Sequence, residues 1–231
     1  MLAYLVRHAE SLANTGADHG LNSPLSPLGE RQVAALVGRL ARTSLSAIYS
    51  SPYRRCLQTA QPIAAAVGLP VRIRPELCEY HHFEPGTPGD PALPDIATLV
   101  DRHPGVVPCP DYTGLYEWAP VDETFESVIG RTRSLAAYLK KRWTGPQDTV
   151  LLVSHGSPVA RIIEAWLTDQ PGPWFRFTID NAAVSVVRHY DGVSGLVCLN
   201  ETSHLRGLPA PRQANYADDG TIRAIPGMGY W

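Results

Sequence analysis

Two short apolar segments, far apart along this chain, each run into a histidine. Residues 3–6 lead to Arg7 and His8, and residues 149–153 lead through a serine to His155. Apolar runs of this length and composition are typical of buried strands. In open α/β sheets, ligands bind beyond the carboxyl ends of the parallel strands. The pattern therefore predicts that both histidines lie at one ligand-binding edge of a sheet.

Helical patterns alternate with further strand patterns. Ser26 and Pro27 form a capping residue followed by proline at the first helical position, and Ser51 and Pro52 repeat that arrangement. Apolar residues spaced three and four apart follow both starts, as on the buried face of a helix. Gly68 is placed to end the second helix. The remaining expected elements are strands at 47–49 and 71–73, helices at about 123–142 and from Ser157 and Pro158 onward, and a hairpin of 183–190 and 195–199 around Asp191 and Gly192.

This alternation predicts an α/β three-layer sandwich, with a largely parallel mixed sheet flanked by helices. We expect a single domain over residues 1–205. The Pro- and Gly-rich segment at about 85–120 is predicted to be an insertion of loops with one short helix near 96–102. Residues 206–231 are expected to form a tail or a lid.

Composition and charge exclude several classes of protein. The 231 residues are 44% hydrophobic and carry a formal net charge of −2, so one sizeable core is possible and no basic surplus points to nucleic acid. The four cysteines form no C-x-x-C pair, which favours reduced thiols and a cytoplasmic location. We recognise no signal peptide, and no apolar run approaches the ~18 residues of a membrane span. We therefore expect neither a nucleic-acid nor a membrane partner.

The loop after the first strand carries groups suited to a phosphate. Arg7 offers a charged planar fork, and Ser11 and Asn14 add neutral hydrogen-bonding groups close by. His8 lies among cations, which disfavours its charged form. One ring nitrogen would then stay free to act as a nucleophile.

Two further clusters follow later strands. Arg54 and Arg55 fall in the first turn of a helix, where cations oppose the helix dipole unless an anion binds there. His155 is followed by Gly156, which permits close approach of the backbone to a ligand, and by Ser157, which can cap a helix or contact a phosphate. Phosphoryl transfer spreads charge over three equatorial oxygens, and an arginine and a charged histidine are suited to stabilise them.

Together these segments resemble the histidine phosphatase superfamily, the phosphoglycerate mutase-like proteins that act through phosphohistidine. The resemblance runs from about residue 3 to 205, and its third motif selects Arg55 rather than Arg54 as a phosphate ligand. The matching motifs, in chain order, are Leu5-Val6-Arg7-His8-Ala9-Glu10-Ser11 with Asn14, Pro24-Leu25-Ser26-Pro27-Leu28-Gly29, Ser51-Pro52-Tyr53-Arg54-Arg55 with Thr59-Ala60, Val153-Ser154-His155-Gly156, Asn181-Ala182-Ala183-Val184-Ser185 and Leu199–Leu205.

The resemblance implies a phosphoglycerate mutase-like fold and supplies residue roles. It makes His8 the nucleophile and Glu79 the proton donor, with Glu76 as the fallback and Glu123 as a further candidate. Arg7 and His155 would act in both catalysis and binding. The full set of implied phosphate-binding residues is Arg7, Ser11, Asn14, Arg55, His155, Gly156 and Ser157. No metal or other cofactor is implied, and no H-x-x-x-H or H-E-x-x-H spacing suggests a metal.

The leading prediction is a phosphomonoester hydrolase. A phosphoglycerate mutase-type isomerase and a non-catalytic phospho-ligand binding module are the alternatives. After Glu79 the chain continues Tyr80-His81-His82-Phe83, where mutases typically have E-R-H-Y-G, and this departure weakens the mutase alternative. His81 and His82 are candidate pocket residues. A small phosphorylated substrate is the expected partner, and a homodimer with contacts from 175–177 and 229–231 stays open.

Overall fold

A computed structural model describes residues 1–16, 22–80, 94–114, 123–170 and 177–209. Within these residues seven strands form one mixed sheet in the order β4-β3-β2-β5-β1-β6-β7. The strands are β1 (Leu2–Arg7), β2 (Ala47–Ser50), β3 (Val71–Ile73), β4 (Val106–Pro108), β5 (Thr149–Ser154), β6 (Val184–Tyr190) and β7 (Val193–Glu201).

The central strands run parallel. β5 pairs with β1 on one side and with β2 on the other, and β3 and β4 continue the parallel array. β6 pairs with β1 in the antiparallel sense, and β7 returns beside β6. Asp191 and Gly192 connect these two with positive φ angles of 50° and 75°, as a two-residue hairpin turn requires. The predicted hairpin is therefore confirmed.

Helices cover both faces of the sheet. They are α1 (Pro27–Leu40), α2 (Arg54–Val67), α3 (Ile96–Arg102), α4 (Phe125–Arg142) and α5 (Gly156–Leu167). One apolar core joins α1, α2 and α3 to the first face, and a second joins α4 and α5 to the other. Along β5, Leu151 and Val153 belong to the first core, whereas Val150 and Leu152 belong to the second. This burial on both faces explains the unbroken apolar run of that strand. The predicted α/β three-layer sandwich is confirmed.

Several predicted boundaries hold because they depend on local chemistry. The Ser26 hydroxyl accepts a hydrogen bond from the Gly29 amide at 3.0 Å, which caps α1. Gly68 ends α2 in the left-handed conformation, with φ of 72°. The short helix expected near 96–102 is α3, whose N-cap Asp95 accepts from the amide of Thr98.

Other boundaries were predicted wrongly. α2 begins at Arg54, not at Pro52, because the Ser51 hydroxyl bonds a histidine ring instead of capping the helix. α5 begins at Gly156, one residue before Ser157, with His155 at the N-cap position. The segment predicted as loops also contains β4, a three-residue edge strand whose short run carries no strand periodicity. The helix predicted at about 123–142 is α4, which begins at Phe125 after its N-cap Thr124.

Parts of the expected insertion, residues 85–93 and 115–120, lie outside the described residues, as do His81, His82 and most of the expected tail. Within the described part of the chain, no helix combines the length and apolar character needed to cross a membrane.

The start of α1 packs so closely on the first loop that a side chain at Gly29 would overlap the carbonyl oxygen of Glu10. We expect Gly29→Ala to lower the free energy of unfolding by about 1–3 kcal/mol or more, since overpacking forces the backbone to move. Gly38 lies in the same helix with open space around it, so Gly38→Ala is the matched control and should stabilise by about 0.5–1 kcal/mol. Urea unfolding of the two variants measures both effects, and equal stability would contradict this packing.

Candidate active site

The register of β1 against β5 brings the two predicted histidines together. Arg7 pairs with Ser154, so His8 and His155 leave the sheet side by side. The backbone amide of His8 also donates to the Ser154 carbonyl at 2.8 Å. Their ring centroids lie 5.1 Å apart, and both side chains are buried.

Hydrogen bonds define which nitrogen of His8 carries the proton. Nδ1 lies 2.7 Å from the Ala9 carbonyl oxygen, which can only accept, so Nδ1 is the protonated atom. Nε2 accepts a hydrogen bond from Nε of Arg55 at 3.2 Å, so its lone pair points toward the guanidinium. Burial, and then the positive charges of Arg55 and Arg7, hold the pKa of His8 well below its usual range. His8 is thus a neutral imidazole with an unprotonated Nε2.

Arg55 bridges the two histidines from the second residue of α2. Its Nη2 lies 3.1 Å from Nδ1 of His155, while its Nε reaches His8. Arg55 is 7% exposed. Arg54 is exposed, and its backbone amide donates to Asn22 Oδ1 at 2.7 Å. Of the two arginines, the structure brings only Arg55 to the histidines.

Ser51 is a site residue that was not predicted from the sequence. Because Nδ1 of His155 accepts from Arg55, its Nε2 carries the proton and donates to the Ser51 hydroxyl at 2.9 Å. The Tyr53 ring packs edge-on against His155 at 5.1 Å and beneath the Arg55 guanidinium at 4.7 Å. The signal for Ser51 was its place four residues before Arg55 at the start of a matched motif, but we assigned this serine to helix capping.

Arg7 lies at the same edge, half-buried. Its Nη1 donates to the Ile179 carbonyl at 2.6 Å, whereas its Nε is buried and has no hydrogen-bond partner among the described residues. Burial lowers the pKa of Arg7, and the nearby Glu79 carboxylate opposes this effect. A guanidinium stays protonated in proteins, so the unused Nε–H is a charged donor beside His8.

Ser11 and Asn14 form a hydrogen-bonded turn next to His8. Both the amide and the hydroxyl of Ser11 donate to Asn14 Oδ1 at 3.0 Å. Nδ2 of Asn181 lies 3.2 Å from the same oxygen and 3.0 Å from the His8 carbonyl oxygen. Asn181 was not predicted as a site residue, although it begins one of the matched motifs. The side-chain oxygen of Asn14 thus accepts hydrogen bonds both from Ser11 within the turn and from Asn181.

Gly156 and Ser157 are the first two residues of α5. The first backbone N–H groups of a helix have no acceptor within the helix and favour an anion. A Cβ at Gly156 would make only ordinary contact with Arg7, 3.7 Å from its Nε. Packing against the described residues therefore does not itself require glycine there.

The three candidate carboxylates have different surroundings. Glu76 forms two hydrogen bonds with Arg74, at 3.1 and 2.6 Å, and Glu123 forms two with Arg131, at 2.7 and 2.8 Å. An oxygen of Glu79 accepts from the Tyr80 amide at 2.9 Å. Burial raises the pKa of Glu79, although that hydrogen bond and the charges of Arg55, Arg7 and Arg131 oppose the rise. Glu76 and Glu123 are therefore each held by two hydrogen bonds from an arginine. The Glu79 carboxyl group instead lies near the positive charges of Arg55 and Arg7.

This chain belongs to the histidine phosphatase superfamily (branch 1), whose family model matches residues 3–202. Phosphoserine phosphatase 1 of Hydrogenobacter thermophilus is 31% identical over 212 residues, which cover 87% of this chain and 92% of that protein. A bifunctional protein of Mycobacterium tuberculosis is 29% identical over 209 residues, covering 87% of this chain and 54% of that protein.

Solved structures agree with the family assignment. A mycobacterial glucosyl-3-phosphoglycerate phosphatase, in a complex with VO3, superposes with a TM-score of 0.66 at 27% identity. The match covers 87% of this chain and 99% of that one. The chain is thus homologous to phosphatases and shares their phosphoglycerate mutase-like fold.

The hydrogen bonds of His8 predict its state in solution. We expect its ring to be neutral, with the proton on Nδ1, across pH 6–8, because burial and two guanidiniums disfavour the cation. Long-range 15N–1H NMR of the imidazoles measures tautomer and titration, and His8→Gln identifies the signals. A proton on Nε2, or titration at the ordinary value of about 6.5, would contradict the assignment.

Proposed function

We propose that the protein is a phosphomonoester hydrolase that acts through a phosphohistidine intermediate on His8. The observation that carries the proposal is the setting of the buried His8 ring, whose Nδ1 lies 2.7 Å from the Ala9 carbonyl oxygen and whose Nε2 lies 3.2 Å from Nε of Arg55. A neutral imidazole is the nucleophilic form. Arg7 and Arg55 supply the positive groups that phosphoryl transfer needs, and the His155 ring lies beside them.

In the first step, Nε2 of His8 attacks phosphorus and the bond to the leaving oxygen breaks. The leaving oxygen takes a proton from the Glu79 carboxyl group, whose raised pKa favours the protonated form. The Nδ1 proton of His8 stays on its hydrogen bond to the Ala9 carbonyl, which supports the positive charge that develops on the ring. The products of this step are phosphohistidine and the free alcohol.

In the second step, water attacks the phosphoryl group and Glu79 accepts a proton from it. The bond between Nε2 and phosphorus breaks, which restores neutral His8, protonated Glu79 and free phosphate. Glu79 thus acts as a general acid in the first step and as a general base in the second.

Several groups would hold the transferring phosphoryl oxygens. We assign this role to Arg7, Arg55 and His155, with the backbone amides at the start of α5 as further donors, because these groups converge beside His8. The residues that complete the proposed set are Ser11, Asn14, Gly156 and Ser157.

Homologues support hydrolysis as the reaction. Two relatives carry phosphatase names, one for phosphoserine and one for glucosyl-3-phosphoglycerate. We therefore propose a small phosphorylated metabolite as the substrate.

Removal of the nucleophile provides the first test. We expect His8→Ala to lower the hydrolysis of p-nitrophenyl phosphate by about 10³-fold or more, because no phosphohistidine can form. His103→Ala is the control, since His103 follows α3 and contacts Gln61 instead of the site. Cooperative thermal unfolding of both variants shows that the fold persists. Substantial turnover by the His8 variant would refute the nucleophile assignment.

Product analysis separates hydrolysis from isomerisation. From a panel of phosphomonoesters that includes 3-phosphoglycerate, we expect release of inorganic phosphate and no isomeric ester, because water is the proposed acceptor. 31P NMR identifies the products. Accumulation of 2-phosphoglycerate would contradict the proposal in favour of a mutase, and binding of phosphate without any turnover would favour a binding module.

A further inference from the structure

The segment that carries Glu79 is held by side chains instead of by strand pairing. β3 ends at Ile73, and residues 76–80 lie outside the sheet. Three backbone carbonyls of this segment accept hydrogen bonds from side chains of α4 and β5. They are Glu76 O from Arg131 Nη1 at 2.6 Å, Leu77 O from Ser154 Oγ at 2.6 Å and Glu79 O from Arg131 Nη2 at 3.3 Å.

Arg131 is in turn fixed by Glu123. Its Nε and Nη2 donate to the two carboxylate oxygens of Glu123 at 2.7 and 2.8 Å. Ser127 adds a hydroxyl donor to the same carboxylate at 3.0 Å. Glu123 is 2% exposed, so the carboxylate of the pair is shielded from water. A planar guanidinium bound at both carboxylate oxygens has one orientation, which aims its outer donors at the carbonyls.

A ring contact ties the far side of Glu79 to the same helix. The Tyr80 ring packs edge-on against Phe125, the first residue of α4, with centroids 5.9 Å apart. The backbone on both sides of Glu79 is therefore anchored to α4 rather than to the strand that precedes it.

We infer that the Arg131–Glu123 pair is a positioning device for the Glu79 carboxyl group. This inference rests on the proposed function, in which Glu79 is the proton donor. A proton donor acts only within hydrogen-bond reach of the leaving oxygen, and a displacement of about 1 Å can cost about 10²-fold in rate. Arg131 holds the carbonyl of Glu79 itself, so its loss shifts the donor while leaving His8 and the site arginines in place.

The dependence on the leaving group isolates this effect. A p-nitrophenolate ion leaves without much need of a proton, whereas an alkoxide needs one. Displacement of Glu79 therefore slows an alkyl phosphate more than an aryl phosphate. A general loss of stability slows both equally.

The test uses Arg131→Lys and Glu123→Gln in the full chain, with kcat/KM measured for p-nitrophenyl phosphate and for phosphoserine. We expect a loss of about 10–100-fold on phosphoserine and less than about threefold on the aryl ester. Glu79→Gln should give the same selective pattern. In the Glu79→Gln background, Arg131→Lys should cause little further loss, because groups that act as a unit are non-additive.

The same helix provides a matched control in Arg133. It donates to the carbonyls of Thr168 and Gln170 at 3.2 Å, and to that of Asp169, at the end of α5 remote from His155. We expect Arg133→Lys to lower the unfolding temperature without changing the ratio of the two rates. Glu123→Gln keeps the test decisive if Arg131→Lys does not fold.

The outcomes separate the inference from the proposed function. Equal losses on both substrates, additivity with Glu79→Gln, or the same result as Arg133→Lys would overturn the positioning role. A wild-type protein that hydrolyses neither ester would overturn the proposed function, and the inference with it.

Discussion

The parallel pairing of β1 with β5 is the constraint on which the rest of the site depends. Arg7 lies opposite Ser154 in the register, so the chain delivers His8 and His155 to the same point of the sheet edge. A slip by one residue would turn each following side chain to the other face. Two cores, one on each face, define the register, because β5 buries alternate side chains in both.

Charge is concentrated at this edge in an unusual way. Two guanidiniums approach a buried imidazole, and their charges, together with burial, keep that imidazole neutral. The nearby Glu79 carboxyl has a raised pKa, chiefly from burial. A phosphate dianion would balance the positive charge and would receive hydrogen bonds from the same groups. Substrate binding and activation of the nucleophile thus have one electrostatic origin.

Much of the fold could be predicted from sequence because its signals are local. The Ser26 cap, the Gly68 terminator and the Asp191–Gly192 turn each depend on a few neighbouring residues. His8, Arg55 and His155 were predicted from motifs, and the structure brings them together. β4 was not predicted because a strand of three residues is too short to show a periodic pattern.

Residues that act across the fold were harder to predict. Ser51 follows a strand and precedes a proline, so its local pattern matches a helix cap, yet it accepts from a histidine 104 positions away. Asn181 reaches back to the His8 carbonyl in the same manner. Glu123 was considered as an acid, but its partner Arg131 lies in α4, eight residues later, and no motif links the two residues. Only tertiary contacts define such roles.

The most direct test of the central claim is a crystal structure of the protein with vanadate. We expect a vanadium centre within bonding distance of Nε2 of His8, with its oxygens contacted by Arg7, Arg55 and His155. An anion bound elsewhere, or one that contacts His155 without approaching Nε2 of His8, would contradict it.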